Sequence, residues 1–271
     1  MQQNESASEY YISREQIIDI RMLAAGHSRG MFSKYALGIL LIFVFVDIVP
    51  SVVGMVFPRS YFDLVSLPAG TAEMVPALPY STLLYNLFMS GVFLLGRSLY
   101  CLYFLRNRKL DYNLPLEGFG NYLRASLLYL IQTLLISAGT MAFIAPGVVL
   151  FYCYRQAFYL LAENPDMGPI RCLQESRRMM RGNKMHLFRL DLSYFFLLVA
   201  AYIPQYVVAY FMPADTGAAA TLILYVLLSI PAYLVTANMY LGQTVFYELL
   251  HSHGFRNFRY TGEEIFRQHA E

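Results

Sequence analysis

Tryptophan is absent from this 271-residue sequence, and charge is scarce, at 14% of residues. A soluble domain carries roughly 25% charge, and a chain that is instead 57% apolar holds more apolar surface than a water-soluble core absorbs. Cysteine is rare too. Cys101, Cys153 and Cys172 show no C-x-x-C spacing, which excludes a disulfide framework and a zinc knuckle and leaves three small apolar fillers. No cleavable leader is expected, because the first 34 residues mix Glu5, Glu9, Arg14, Glu15, Asp19, Arg21, Arg29 and Lys34 before any apolar run begins. The vocabulary of catalysis is missing as well. There is no Gly-rich phosphate loop and no G-x-S-x-G elbow. Of the five histidines, His27, His186, His251, His253 and His269, only His251-Ser252-His253 with Glu248 approaches a metal-binding pattern. A His-x-His at a helix end turns its rings apart, so neither a metal, a cofactor nor an enzymatic activity is expected.

What the sequence does have is long apolar runs. Windows of roughly 20 apolar residues match the ~30 Å thickness of a bilayer's hydrocarbon core, and six are read at about 35–57, 80–105, 124–143, 148–162, 190–212 and 218–250. Residues 1–12 are polar and read as a flexible N-terminus. Ser13-Arg14-Glu15-Gln16 then forms a capping-box pattern that opens a short helix ending near Gly26. Ile17, Ile18, Ile20, Leu23 and Ala24 fall largely to one side of that helix, which is too short to span and resembles a helix lying at the interface. The loop 58–79, with Pro58, Pro68, Pro76 and Pro79, is expected outside. Ala145-Pro146-Gly147 marks a turn between spans three and four, and Pro231 a kink in span six. The fold class is therefore an all-α polytopic membrane protein with one membrane domain over 13–250 and a polar tail over 251–271.

The distribution of basic residues is a signal independent of apolar run length. Of 20 Lys and Arg residues, Arg59 alone lies in a loop expected outside, Arg97 and Arg155 lie within spans, and the rest fall on one side. The positive-inside rule makes that side cytoplasmic, with both termini there. In the absence of tryptophan, 23 tyrosines supply the interfacial belts, Tyr35, Tyr80 and Tyr194 among them.

A weak internal repeat refines this picture. Arg21, Gly26 and Phe32 align with Arg177, Gly182 and Phe188, and each set belongs to a short helix, a glycine suited to a left-handed cap and then a span. A poorer third copy, 114–124, precedes span three. The expectation is three like-oriented hairpins, each led in by a short amphipathic interfacial helix, a parallel arrangement unlike the inverted repeats of many transporters.

Residues 144–194 carry a resemblance. Pro146-Gly147, Tyr154, Ala162-Glu163-Asn164-Pro165-Asp166, Ser176, Met180, Gly182-Asn183-Lys184 and Phe188 resemble the bacterial integral-membrane family catalogued as domain of unknown function 975. The segment Ser13–Lys34 looks like that family's opening, although His27-Ser28-Arg29 departs from the family's usual pair after the glycine. The family is similar, more distantly, to the membrane domain of some bacterial glycerophosphodiester phosphodiesterases. The resemblance implies a multi-pass protein of the bacterial cytoplasmic membrane and carries no catalytic residues.

Charged residues inside spans cost upward of ~2.5–3.5 kcal/mol and usually have a partner or a function. Asp47, Arg97 and Arg155 are such residues, and an Asp47–Arg155 or Asp47–Arg97 ion pair is the natural expectation, with the spare guanidinium left for carbonyls, Asp191 or an anionic ligand. Asn238 is expected to bond across helices, and Glu248 to be solvated near the cytoplasmic exit. The segment Ile170–Gly182 places Ile170, Leu173 and Met180 on one face and Arg171, Gln174, Arg178 and Arg181 on the other. Together with Arg177, Lys184 and Arg189 it is expected to touch anionic lipid headgroups. Gly38, Gly54, Gly91, Gly96, Ala138 and Gly139 permit close helix contacts, within one chain or with a second copy or another membrane protein. Nothing points to nucleic acid.

Three functions follow from these residues. The first is a non-enzymatic bundle that engages anionic lipid or a membrane partner. The second is a transporter or channel for a small or lipidic solute, lined by Asp47, Arg97 and Arg155. The third, implied only by the distant resemblance, is membrane-embedded hydrolysis of a lipid headgroup.

Overall fold

The computed structural model describes residues 11–13, 15–57, 80–211 and 217–252. The loop 58–79 with Arg59, Arg14 of the capping-box pattern, His253, His269 and almost all of the two polar ends lie outside the described residues. Every regular element described is helical: α1 (Ile17–Ser28), α2 (Phe32–Phe43), a π-helical turn (Val44–Ile48), α3 (Val49–Val56), α4 (Tyr80–Asn107), α5 (Leu114–Glu117), a 3-10 turn (Gly118–Asn121), α6 (Tyr122–Ala142), α7 (Ile144–Cys153), α8 (Ala157–Glu163), α9 (Pro169–Met179), α10 (Lys184–Phe211) and α11 (Ala218–Ser252). Six stretches are long and apolar enough to cross a membrane: Phe32–Val56, Ser81–Asn107, Leu114–Ala142, Ile144–Glu163, Lys184–Val208 and Ile223–Ser252. Their number is that of the six spans read from the sequence, although the third begins at Leu114 and so takes in the segment expected to lead into it, and the protein is multi-pass.

Spans adjacent in sequence pack on one another, α3 on α4, α6 on α7 and α10 on α11. Missing side chains allow close approaches of α4 to α2, α6 and α5. A Cβ at Gly38 would collide with the Tyr100 ring, one at Gly91 with the Ala125 backbone and one at Gly96 with the Pro115 carbonyl. The α1–α2–α4–α11 core is aromatic. Tyr35 stacks on Tyr100 and Phe104, with centroids 5.7 and 4.7 Å apart, and the Tyr100 hydroxyl donates to the Tyr35 carbonyl at 3.1 Å. All three cysteines are buried and free.

The repeat has a different register from the one suggested by the aligned residues. Gly26 lies inside α1, and the left-handed glycines are Gly30 (φ 78°) and Gly182 (φ 85°). Ile17 and Pro169, Gly30 and Gly182, and Phe32 and Lys184 each lie 152 residues apart, so both units run as helix, left-handed glycine, then span. The segment before α6 has no such glycine.

The lead-in helices also differ from expectation. α1 starts without a side-chain cap; Ser13 donates to Glu15 at 2.7 Å, and no capping box forms. Nor does α1 sort by polarity: Ile20 and Ala24 are buried, while Ile18 and Met22 stand exposed. α9 does sort, burying Cys172, Leu173, Ser176 and, just beyond its end, Met180, but this face is applied to the bundle, against α8 and α6. Ile170, expected on that face, is exposed.

Two irregularities interrupt spans. In the π turn of the first span the Phe45 carbonyl would accept from residue 50, but Pro50 has no N–H. The Tyr85 hydroxyl donates to that carbonyl instead, at 2.8 Å. Span four, read as continuous, breaks after Cys153 and resumes at Ala157. Ser176 of α9 fills the break: its hydroxyl donates to the Cys153 carbonyl at 2.9 Å and accepts from the Gln156 N–H at 3.2 Å. Just beyond, buried Asn183 accepts from the Ser13 N–H at 2.9 Å and donates to the Tyr11 carbonyl at 2.8 Å, so the chain's opening segment is tied to the α9–α10 turn.

Candidate intramembrane binding cavity

Asp47 and Arg97 line the same cavity, of about 190 Å³, between the first span, α4, α10 and α11. A buried water needs only ~10–15 Å³ of such space, whereas pockets for drug-sized ligands run to roughly 300–1,000 Å³. The cavity therefore suits a small molecule or the head of a larger one. Its walls are aromatic and hydroxylic: Phe43 and Phe93 on one side, Tyr202 on α10, and Tyr225, Ser229, Tyr233, Thr236 and Tyr240 on α11. Asp47, Tyr202 and Tyr225 are exposed at its edge.

The α11 residues belong to a longer pattern, which charge and hydropathy alone do not reveal. Tyr225, Ser229, Tyr233, Thr236, Tyr240, Thr244 and Tyr247 follow one another at spacings of four or three, so a single helix face carries hydroxyls along the span. That spacing is the signal the sequence carries for it. Ser229, Thr236 and Thr244 each donate to a carbonyl of their own helix at 2.8 Å, which satisfies their protons, and Thr244 Oγ1 accepts from the Tyr159 hydroxyl at 3.1 Å.

The expected ion pairs do not form. Among the described residues neither Asp47, Arg97 nor Arg155 makes a salt bridge. Arg97 stands over the Tyr240 ring with its Cζ 4.2 Å from the centroid, and its Nε has no hydrogen-bond partner among the described residues. Cation–π contact holds the guanidinium and supplies no negative charge. Arg155 lies in the span-four break, outside this cavity. It donates to Gln243 at 3.1 Å, and Gln243 donates in turn to Asp191 at 2.8 Å, so Asp191 and Arg155 are joined through an amide and do not touch. The Tyr152 hydroxyl also donates to Asp191, at 3.3 Å. The offset of Arg155 from Asp47 has a simple cause: the break at Tyr154–Gln156 re-aims the side chain toward α10 and α11.

Two further expectations change. Asn238 donates back to the Leu234 carbonyl of its own helix at 3.3 Å and lines a separate groove with Arg21 and Tyr194. Glu248 is buried, not solvated. It accepts from Arg106 at 2.7 and 3.2 Å, and the other carboxylate paired with Arg106 is Glu163. Glu163 also accepts from the Tyr247 hydroxyl at 2.6 Å and has the His251 ring 3.4 Å away. This cluster gathers the C-terminal ends of α4, α8 and α11 at the foot of the hydroxyl stripe. Of the basic residues near α9, Arg171, Arg177, Arg178, Arg181 and Arg189 are exposed and Lys184 is half-buried; Arg178 pairs with Glu175 at 3.0 Å. The Ala162–Asp166 turn is held from α6 by Arg124, which donates to the Pro165 carbonyl and reaches Asp166 at 3.3 Å.

The model of the family described as "Protein of unknown function (DUF975)" matches residues 119–254, half of the chain. The chain belongs to the DUF975 family. No curated protein and no solved structure matches it, and no likeness to the phosphodiesterase-associated membrane domain accompanies the family match. In this DUF975 protein the residues that carry the resemblance have architectural work. Ser176 fills the broken span, Met180 is buried beside it with its sulfur 3.8 Å from the Gln156 amide, Gly182 takes the left-handed turn and Asn183 ties down the N-terminal segment. The Asp47 edge of the cavity lies outside the matched region.

Proposed function

We propose that this protein is a non-enzymatic, solute-binding protein of the bacterial cytoplasmic membrane, of the transporter type, which admits a small polar solute to the Asp47–Arg97 cavity. The observation that carries this reading is a cavity lined by two opposite charges that do not neutralise each other, in a region where an uncompensated charge is expensive. The hydroxyl face of α11 supplies a polar route from the cavity toward the Arg106–Glu163–Glu248 cluster, which closes its end. The meeting of α4, α8 and α11 by their C-terminal ends supports three like-oriented hairpins, with the basic ends in the cytoplasm. The cavity is tested by aqueous accessibility. Because the native cysteines are buried, Ser229→Cys and Thr236→Cys are expected to react with a small charged thiol reagent in intact membranes. Lack of reaction at both positions, in protein of normal yield, overturns the reading.

A second reading concerns the surface. α9 turns its apolar face to the bundle and leaves Arg171, Arg177, Arg178 and Arg181 exposed, which favours contact with anionic headgroups at roughly 1 kcal/mol per residue.

A further inference from the structure

The cavity's two charges specify more than a polar solute. Arg97 is a cation whose neighbour is a ring face and whose Nε lacks a partner among the described residues. Asp47 is a carboxylate that is exposed, forms no ion pair among the described residues and lies on a π-helical turn, a distortion that recurs at functional sites. A purely anionic ligand would satisfy Arg97 and be repelled by Asp47. A purely cationic ligand would meet the reverse. A dipolar ligand with both charges joined by a short link satisfies both sites and enters the apolar region with no net charge.

We propose that the Asp47–Arg97 cavity binds a small zwitterion, with an ammonium or quaternary ammonium group toward Asp47 and a carboxylate or phosphate on Arg97. This rests on the solute-binding reading above. Three features fit the occupant. The guanidinium has a planar N–H fork suited to an anion, and its Cζ stands 4.2 Å from the centroid of the Tyr240 ring. Tyr202 and Tyr225 line the cavity with Asp47 and are exposed, and aromatic rings are the side chains that hold alkylammonium groups. The volume of about 190 Å³ suits a compact dipolar group. Because Asp47, Tyr202 and Tyr225 are exposed, the cationic end lies nearer the open mouth of the cavity. The same chemistry serves a free solute and the headgroup of a zwitterionic phospholipid.

The test measures the affinity of the full-length protein, in nanodiscs of phosphatidylglycerol alone, for phosphocholine, phosphoethanolamine and glycine betaine, against inorganic phosphate and tetramethylammonium as half-ligands. A parallel arm compares retention of phosphatidylcholine and phosphatidylethanolamine with that of phosphatidylglycerol. A dipolar probe is expected to bind at least about tenfold more tightly than either half-ligand, one charge-assisted contact being worth roughly that factor. Asp47→Asn should weaken zwitterion binding about tenfold while strengthening phosphate binding. That opposite response is one that a misfolded variant would not give. Arg97→Lys, which keeps the charge and loses the fork, should weaken both. Selective response to the free probes assigns a soluble zwitterion, and selective lipid retention assigns a headgroup. Phosphate binding equal to phosphocholine binding, or zwitterion binding indifferent to Asp47→Asn, overturns the proposal while leaving a solute cavity in place. Failure of every probe, together with unreactive cysteines at 229 and 236, overturns both.

Discussion

Burial of His27 beneath the end of α4 couples the fold to pH. Its Nε2–H donates to the Phe104 carbonyl at 3.1 Å and its ring packs edge-on to Phe104, 5.4 Å between centroids. Burial lowers its pKa below the ordinary 6.5, the Arg108 guanidinium acts in the same direction, and the bond to Phe104 opposes them. A histidine that is harder to protonate folded than unfolded costs nothing above pH 6.5 and costs stability as pH falls below it, because the unfolded chain then binds the extra proton. His27→Gln keeps a donor for Phe104 and removes the titration. The loss of melting temperature between about pH 7.5 and 5.5 is therefore expected to be smaller in the variant than in the wild type. An equal loss would show that folding leaves the His27 pKa unshifted. At Cys172, burial pushes the thiol up to about 11, so it stays protonated and slow to react, which lowers the background for introduced cysteines. The burial of His27 could not be read from the sequence, since a histidine after a glycine near a span is as compatible with solvent.

The elements are defined as much by their interruptions as by their periodicity. α9 is basic on one face and apolar on the other, and an interfacial role was the natural expectation; the structure uses its apolar face and one hydroxyl to complete a neighbouring span. Ser176→Ala removes both bonds at the break, leaving the Cys153 carbonyl and the Gln156 N–H unpaired in a buried place. A loss of roughly 1–3 kcal/mol is expected, visible as a lower melting temperature, and Ser176→Thr should recover part of it. If Ala matched the wild type, something other than Ser176 would be holding the break. Span four looked continuous in the sequence because its apolar run is unbroken. The partner that makes an interruption tolerable lies 20 residues away, and hydropathy has no access to it.

At the scale of the whole molecule, the Arg106–Glu163–Glu248 cluster ties three spans at one end, and that end is rich in Arg and Lys. The proposed topology makes this face cytoplasmic. Single cysteines at Asn107, Asp166 and Arg171 are accordingly expected to react with an impermeant reagent from inside-out vesicles and not from intact cells. Labelling of any of the three from outside would contradict it. Neutralising Arg171, Arg177, Arg178 and Arg181 to Gln should, in the same preparations, reduce the anionic lipid that copurifies, and no reduction would remove the surface reading. The cavity sits away from this end, so its occupancy and the sidedness of the chain can be tested separately.

The sequence by itself determined the solvent, the number of spans, the closely packed glycines at 38, 91 and 96, and the identity of the costly residues Asp47, Arg97 and Arg155. These follow from local composition and from the price of charge in a bilayer. Only the tertiary structure decided which of those charges share a cavity. Arg155 and Arg97 are equivalent in sequence terms, each an arginine in a span. A broken helix sends one to Gln243, and a continuous helix leaves the other over Tyr240 beside Asp47. The direction in which a side chain points depends on breaks, bulges and neighbours contributed from elsewhere in the chain, and hydrophobic periodicity along one segment carries no record of them.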